Sequence, residues 1–190
     1  MACGAAIYGA GVFHLMTHAF FKALLFLGAG RVIHAMNGEQ DMWAIRAGAP
    51  GGLRKYAPIT FVTFLIATCA ISGIPFFSGF YSKDKVLYDT LTSGHGSARW
   101  RAVGTLAAHM TSFYMFRLWY LTFQGERRTG ELEEHGAAVH ARHDTRLTLE
   151  ADHAHEPHES PWSMLGPLVI LAILSIIGGW IGAGRFGSYL

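Results

Sequence analysis

Phe13-His14-Leu15-Met16-Thr17-His18-Ala19-Phe20-Phe21-Lys22, followed without interruption by Ala23-Leu24-Leu25-Phe26-Leu27-Gly28, decides how the rest of the chain is read. Three proton-carrying side chains stand in a run that is otherwise almost wholly apolar. On a helix turning about 100° per residue, positions four apart differ by about 40°, so His14, His18 and Lys22 line one narrow face. An ionisable residue within a membrane span is rare, costs about 2.5–3.5 kcal/mol for a central Lys on insertion scales, and tends to mark an ion or proton pathway. The first question is therefore whether this helix crosses a membrane.

The apolar element around this row runs from about Ala5 to His34. About 20 residues at about 1.5 Å each cross a hydrocarbon core of about 30 Å, so the run is long enough. Its only Lys and Arg are Lys22 and Arg31. The whole chain agrees with a membrane reading: 51% of its 190 residues are hydrophobic and 15% are charged, against about 25% charged in an ordinary soluble domain. Nine of the 13 acidic residues and four of the 15 basic ones lie between Gly125 and Trp162, so that segment is acidic and the remainder basic. Two cysteines, Cys3 and Cys69, make neither a disulfide framework nor a CxxC metal motif. No basic region precedes the first apolar stretch, and no cleavable signal peptide is expected.

From Ala57 to Ser82 no residue is charged, yet the run is interrupted by Ser72-Gly73-Ile74-Pro75-Phe76-Phe77-Ser78-Gly79. Pro removes a backbone donor and the two Gly relax the helix. The expectation is a broken helix with a second half from Tyr81 to about Leu91. Unpaired backbone at membrane depth is tolerated only where protein or a hydrated cavity covers it, and transporters place ion sites at such breaks. Lys83, Asp84, Lys85 and Asp89 follow the break directly.

A third span is expected from about Ala102 to Phe123, with Phe113, Tyr114, Phe116, Trp119, Tyr120 and Phe123 forming an interfacial aromatic belt. Residues 125–159 carry mixed charge and six histidines, His135, His140, His143, His153, His155 and His158, and read as a solvated loop. A fourth span runs from Ser160 to Gly184. The chain thus reads as an all-α polytopic transmembrane bundle of about four spans with one broken helix. Residues 1–124 form the membrane domain, broken near 73–79; 125–159 the polar loop; and 160–190 the last span and tail. Basic residues near the membrane place the loops after the first and third spans in the cytoplasm.

Each candidate has a plain structural reading beside it. Desolvation pushes a buried Lys toward its neutral form, and His titrates near neutrality, so Lys22, His14 and His18 are candidates for proton exchange. The alternative is that Lys22 snorkels while the His pair bonds neighbouring helices. Arg31 lies about 14 Å further along the helix, which argues against snorkelling toward that end. Lys83, nearest the break, is a second candidate, with Asp84 beside it; the competing reading is a solvated helix start with a Lys85–Asp89 pair. Histidines at i, i+4 also suit a metal, but Lys is a poor third ligand and no carboxylate lies on that span. The loop histidines match no tight metal spacing. No Gly-rich nucleotide loop, Ser-His-Asp order or iron–sulfur cysteine set is present.

With Gly38-Glu39-Gln40-Asp41, Gly73-Ile-Pro-Phe-Phe-Ser-Gly-Phe-Tyr-Ser-Lys83-Asp84 and Tyr114-Met-Phe-Arg117, the His14–Lys22 stretch closely resembles the antiporter-like family of respiratory complex I, nearest to its L subunits. The similarity covers about residues 8 to 123, and Ser160-Pro161-Trp162 is similar to the start of the family's next span. The resemblance implies that His14, His18 and Lys22 belong to a proton relay through the membrane, that Lys83 is the exit-side Lys on a broken helix, and that Asp84 is its acidic neighbour. It further implies a subunit of NADH:quinone oxidoreductase, in a bacterial inner membrane, working beside other membrane subunits of the complex. No cofactor is expected in this chain and no nucleic acid partner. The family's earlier repeat and its long lateral helix are not in these residues, so the chain is expected to match the C-terminal part of a channel. Two alternatives remain: the large subunit of a multisubunit sodium/proton antiporter, or a non-pumping membrane fragment with a metal-binding loop.

Overall fold

The computed structural model describes residues 6–36, 52–92, 97–124 and 162–186, with side chains of the last helix described to residue 182, and isolated positions at 2, 3, 38, 40–42, 45 and 94. The six loop histidines and the proposed loop at 125–159 lie outside the described residues. All regular structure among the described residues is helical: α1 Tyr8–Ala35, a 3-10 turn Leu53–Lys55, α2 Pro58–Ser72, α3 Ser78–Thr92, α4 Ala98–Phe123 and α5 Trp162–Phe186.

Local chemistry sets most boundaries. Pro58 opens α2, where its fixed φ suits a helix and its missing N–H has no partner to lose. The helix ends in a Schellman arrangement. Gly73, at φ 78°, donates its N–H to the Ala70 carbonyl, and Ile74 donates to the Cys69 carbonyl at 3.1 Å. A left-handed turn costs a residue with a Cβ about 1–2 kcal/mol. Gly73→Ala is accordingly expected to lower the thermal unfolding midpoint of the detergent-purified protein, and Gly73→Asn, which tolerates this conformation better, to lower it less; equal midpoints for Ala and wild type would refute this. Ser97 caps α4 by accepting from the Trp100 N–H.

The broken helix is present, with a correction at its second half. α3 starts at Ser78, three residues before the expected Tyr81, because Phe77 and Phe80 donate backward to the Ile74 and Phe77 carbonyls and wind the chain early. Phe76, at φ 76°, lies within the break. α4 likewise begins at Ala98 and not Ala102, since the Ser97 cap precedes the apolar run.

α1 lies against α2, α3 and α5, while α4 packs on α2 and α3. The shared core holds Phe21, Leu24, Leu25 and Val32 of α1, Phe64, Ala67, Ala70 and Ile71 of α2, Met115 and Phe123 of α4, and Leu168 and Ala172 of α5. The outside is as apolar as the inside: Leu15, Phe26, Leu106, Phe113 and Ile170 are exposed, while Thr17, Thr60, Thr68, Ser78, Ser82 and Ser175 are buried. Water would not favour that inversion; hydrocarbon does.

Two helices, Tyr8–Ala35 and Trp162–Gly182, are long and apolar enough by themselves to cross a membrane. α2 and α3, at 15 residues each, reach only about 22 Å apiece. α4 has 26 residues but is less apolar, carrying Arg99, Arg101 and Arg117. The aromatic belt expected along α4 is in fact two groups. Phe113, Tyr114 and Tyr120 are exposed, whereas Phe123 is fully buried between Phe61 and Phe64, at 5.6 Å from each ring, and Trp119 packs 5.1 Å from Phe61. At about 100° per residue Trp119 and Phe123, four positions apart, share the face turned to α2, while Phe113, Tyr114 and Tyr120 fall on the remaining arc.

Candidate functional site

α1 holds His14, His18 and Lys22 one turn apart, as the spacing required. The His14 and His18 ring centroids are 6.0 Å apart, and the His18 ring stands edge-on to Phe21 at 5.3 Å. Lys22 is half-buried and its ammonium lies 5.5 Å from the Phe26 ring, a cation–π distance. The three groups form a row but no continuous hydrogen-bonded chain, since 6.0 Å between ring centres exceeds direct transfer distance.

The break brings Lys83 to this row. Its ammonium donates to the carbonyl of Ile71, one of the four terminal carbonyls of α2 that have no partner within the helix. The Schellman turn satisfies Cys69 and Ala70, and Lys83 satisfies Ile71. A cation at a helix C-terminus also meets the negative end of the helix dipole. Such close folding of α3 onto α2 depends on Gly79: a Cβ there would stand 1.8 Å from the Ala70 carbonyl oxygen.

A cavity of about 600 Å³ opens between α1, α3 and α4. His14 and Lys83 are both in its wall, and the remaining lining is mostly small or apolar, with Gly11, Val12, Val86, Gly104 and Ala108 among it. His14 and Lys83, 69 positions apart in the chain, thus face one space. His18 and Lys22 do not line it and lie further along α1. Asp84 is exposed, rotated about 100° from Lys83, and is not brought into the cavity. Lys85 and Asp89 form the expected i, i+4 pair at 3.0 Å. His109 is exposed, its Nδ1–H donating to the Thr105 carbonyl at 2.8 Å, and Arg117 is exposed as well.

Two polar partners of the row escaped the sequence reading. His14 Nδ1 is 3.0 Å from Ser82 Oγ, and Thr17 Oγ1 is 2.8 Å from that same oxygen. Thr17 and Ser82 are both completely buried. A Ser or Thr in a helix usually bonds its own backbone, so a hydroxyl between two histidines, or beside a lysine, carries little signal.

The family model described as "NADH:quinone oxidoreductase/Mrp antiporter, TM" matches residues 1–111. NAD(P)H-quinone oxidoreductase chain 5 of Picosynechococcus sp. is 46% identical over 196 residues, spanning 100% of this chain and 29% of that protein. NADH-quinone oxidoreductase subunit L of Rhodobacter capsulatus is 45% identical, spanning 95% of this chain and 23% of the relative. The chain therefore covers less than a third of these relatives. A chain in the structure of the Mrp complex from Dietzia sp. superposes with a TM-score of 0.69 at 25% identity, over 96% of this chain and 36% of that one. By the family match over residues 1–111, this chain belongs to the NADH:quinone oxidoreductase/Mrp antiporter family of transmembrane proteins.

Proposed function

We propose that the chain forms part of a proton path in a membrane subunit of NADH:quinone oxidoreductase, driven by quinone reduction elsewhere in the complex. His14, His18, Lys22 and Lys83 are the exchanging groups, and Asp84, on the exposed face, is the acidic neighbour of Lys83. The bundle crosses the membrane four times, with α2 and α3 together as one broken span. Its setting is a bacterial inner membrane, beside other membrane subunits.

The observation that carries this reading is the cavity with His14 and Lys83 in one wall. A space of about 600 Å³ with His14 and Lys83 in its wall has room for water between two groups that do not touch. Moving one charge across 100 mV costs about 2.3 kcal/mol, comparable to a change of about two units in a group's proton affinity. Charge rearrangement in a neighbouring subunit can supply that.

Lys22→Ala in the assembled complex is expected to lower the protons moved per NADH in inverted vesicles while the complex still assembles and oxidises NADH. Unchanged stoichiometry would remove Lys22 from the path. A second reading, a sodium/proton antiporter subunit, draws on the likeness to the Mrp complex chain. Sodium-driven proton exchange that ignores NADH would favour it. Identities of 45–46% to the quinone oxidoreductase chains, against 25% to the Mrp complex chain, favour the first.

A further inference from the structure

The break holds a conformation that one of its own residues disfavours. Phe76 stands at φ 76°, in the left-handed region, which a residue with a Cβ enters at a disadvantage of about five- to thirtyfold. Gly73 takes the same kind of turn without that cost. Contacts from outside the loop must offset it at Phe76, and α5 supplies them. Trp180 donates its indole N–H to the Phe76 carbonyl at 3.1 Å, and the two rings stack with centroids 6.5 Å apart and planes 15° from parallel. The same side chain lies 5.5 Å from the Tyr81 ring in the first turn of α3. Gly179, beside it, lets α5 close onto that turn: a Cβ there would stand 2.5 Å from Ser78 Cα and 2.8 Å from the Tyr81 ring.

Magnitudes decide what Trp180 contributes. One hydrogen bond is worth about fivefold and one aromatic pair about two- to tenfold. Together they match the disadvantage of the left-handed turn, and either alone leaves Phe76 near balance. The bond is also placed where it keeps its strength. Phe76 and Trp180 are exposed on the outside of the bundle, beside the middle of α1: a Cβ at Gly178 would meet the Phe20 ring at 3.2 Å, and one at Gly79 the Phe21 ring at 3.6 Å. In the four-span reading that is membrane depth, where no bulk water competes for the carbonyl. We propose that Trp180 is a positioning residue of the proton path, latching the break in its left-handed turn and so fixing, through the start of α3, where Ser82 and Lys83 stand. Both residues lie within the first two turns of α3. Ser82 Oγ is 3.0 Å from His14 Nδ1, and Lys83 bonds the Ile71 carbonyl, so a swing of the chain at Phe76 is passed to both contacts.

This role rests on the proton-path reading for its purpose, and the two fail separately. In the full-length subunit within the assembled complex, Trp180→Phe keeps a ring to stack and removes only the N–H. Hydrogen–deuterium exchange of the amides between Ser72 and Phe80, read by mass spectrometry in lipid nanodiscs, is expected to run about fivefold faster than in wild type, the effect of losing one hydrogen bond of about 1 kcal/mol. Trp180→Leu, which loses the ring pair as well, is expected to exchange faster still, and Ile181→Ala, at an exposed neighbour, as in wild type. Protons moved per NADH oxidised in inverted vesicles are expected to fall in the same order, whereas a residue that only added stability would leave that ratio unchanged in complexes that have assembled. Exchange at the break unchanged in both Trp180 variants overturns the latch. Faster exchange with an unchanged proton ratio overturns the positioning role. Normal pumping by Lys83→Arg would instead sink the path through Lys83, with exchange at the break still deciding the latch.

Discussion

Lys83→Arg is expected to stop proton translocation in the assembled complex while leaving the protein folded. Arg retains the positive charge and donors that reach the Ile71 carbonyl at the end of α2, so the helix end stays satisfied. Its guanidinium, unlike an ammonium, does not give up a proton in a protein. A group that must release and regain a proton is thereby removed with little structural change. The expected loss is about a hundredfold or more in translocation rate, the scale on which a positioned proton-transfer group contributes. Lys83→Met should lose translocation equally and also destabilise the protein by about 1 kcal/mol, because Ile71 loses its donor. Proton uptake by inverted vesicles, set against NADH oxidation in the same vesicles, reads the first effect, and thermal unfolding reads the second. An Arg variant that pumps normally would reduce Lys83 to a helix cap.

The largest structural effect is expected at Gly79. Its Cβ would stand 1.8 Å from the Ala70 carbonyl oxygen and 2.9 Å from the carbonyl carbon. Those are backbone atoms, so no side-chain rotation relieves the clash, and α3 must lift away from α2. Overpacking of a tight core costs about 1–3 kcal/mol, and more when backbone must move, so Gly79→Ala is expected to cost at least about 3 kcal/mol. Lifting α3 would also carry Lys83 from Ile71 and Ser82 from His14, so stability and translocation fall together. Gly30 is the control: a Cβ there meets nothing within 4 Å, and Gly30→Ala, which favours helix by up to about 1 kcal/mol, should assemble as well as wild type. Equal unfolding midpoints for the Gly79 and Gly30 variants would refute the close approach.

What could be read without coordinates was what periodicity and chain breakers encode. The face of His14, His18 and Lys22 follows from spacing alone, and Gly73 with Pro75 announced the break. The Lys85–Asp89 pair followed from its i, i+4 separation. What could not be read depends on contacts across the bundle. Asp84 is adjacent to Lys83 in sequence, yet one helical step turns it outward. The bond from Ser82 to His14 joins residues 68 positions apart, and no local pattern predicts which hydroxyl leaves its own backbone for a distant ring. The aromatic run on α4 failed for a related reason. Its composition fits an interface, but Phe123 and Trp119 face Phe61 across the bundle, a partner found only once α2 and α4 are side by side.

Trp180 of α5 donates its indole N–H to the Phe76 carbonyl at 3.1 Å, stacks on the Phe76 ring and touches Tyr81, so the last helix in the sequence helps close the break. During synthesis α2 and α3 leave the ribosome about 70 residues or more before α5. Until α5 arrives the Phe76 carbonyl has no indole donor, and an unsatisfied carbonyl in lipid costs several kcal/mol. Docking of α5 is therefore the event that gives the Phe76 carbonyl its indole donor and covers this end of the break.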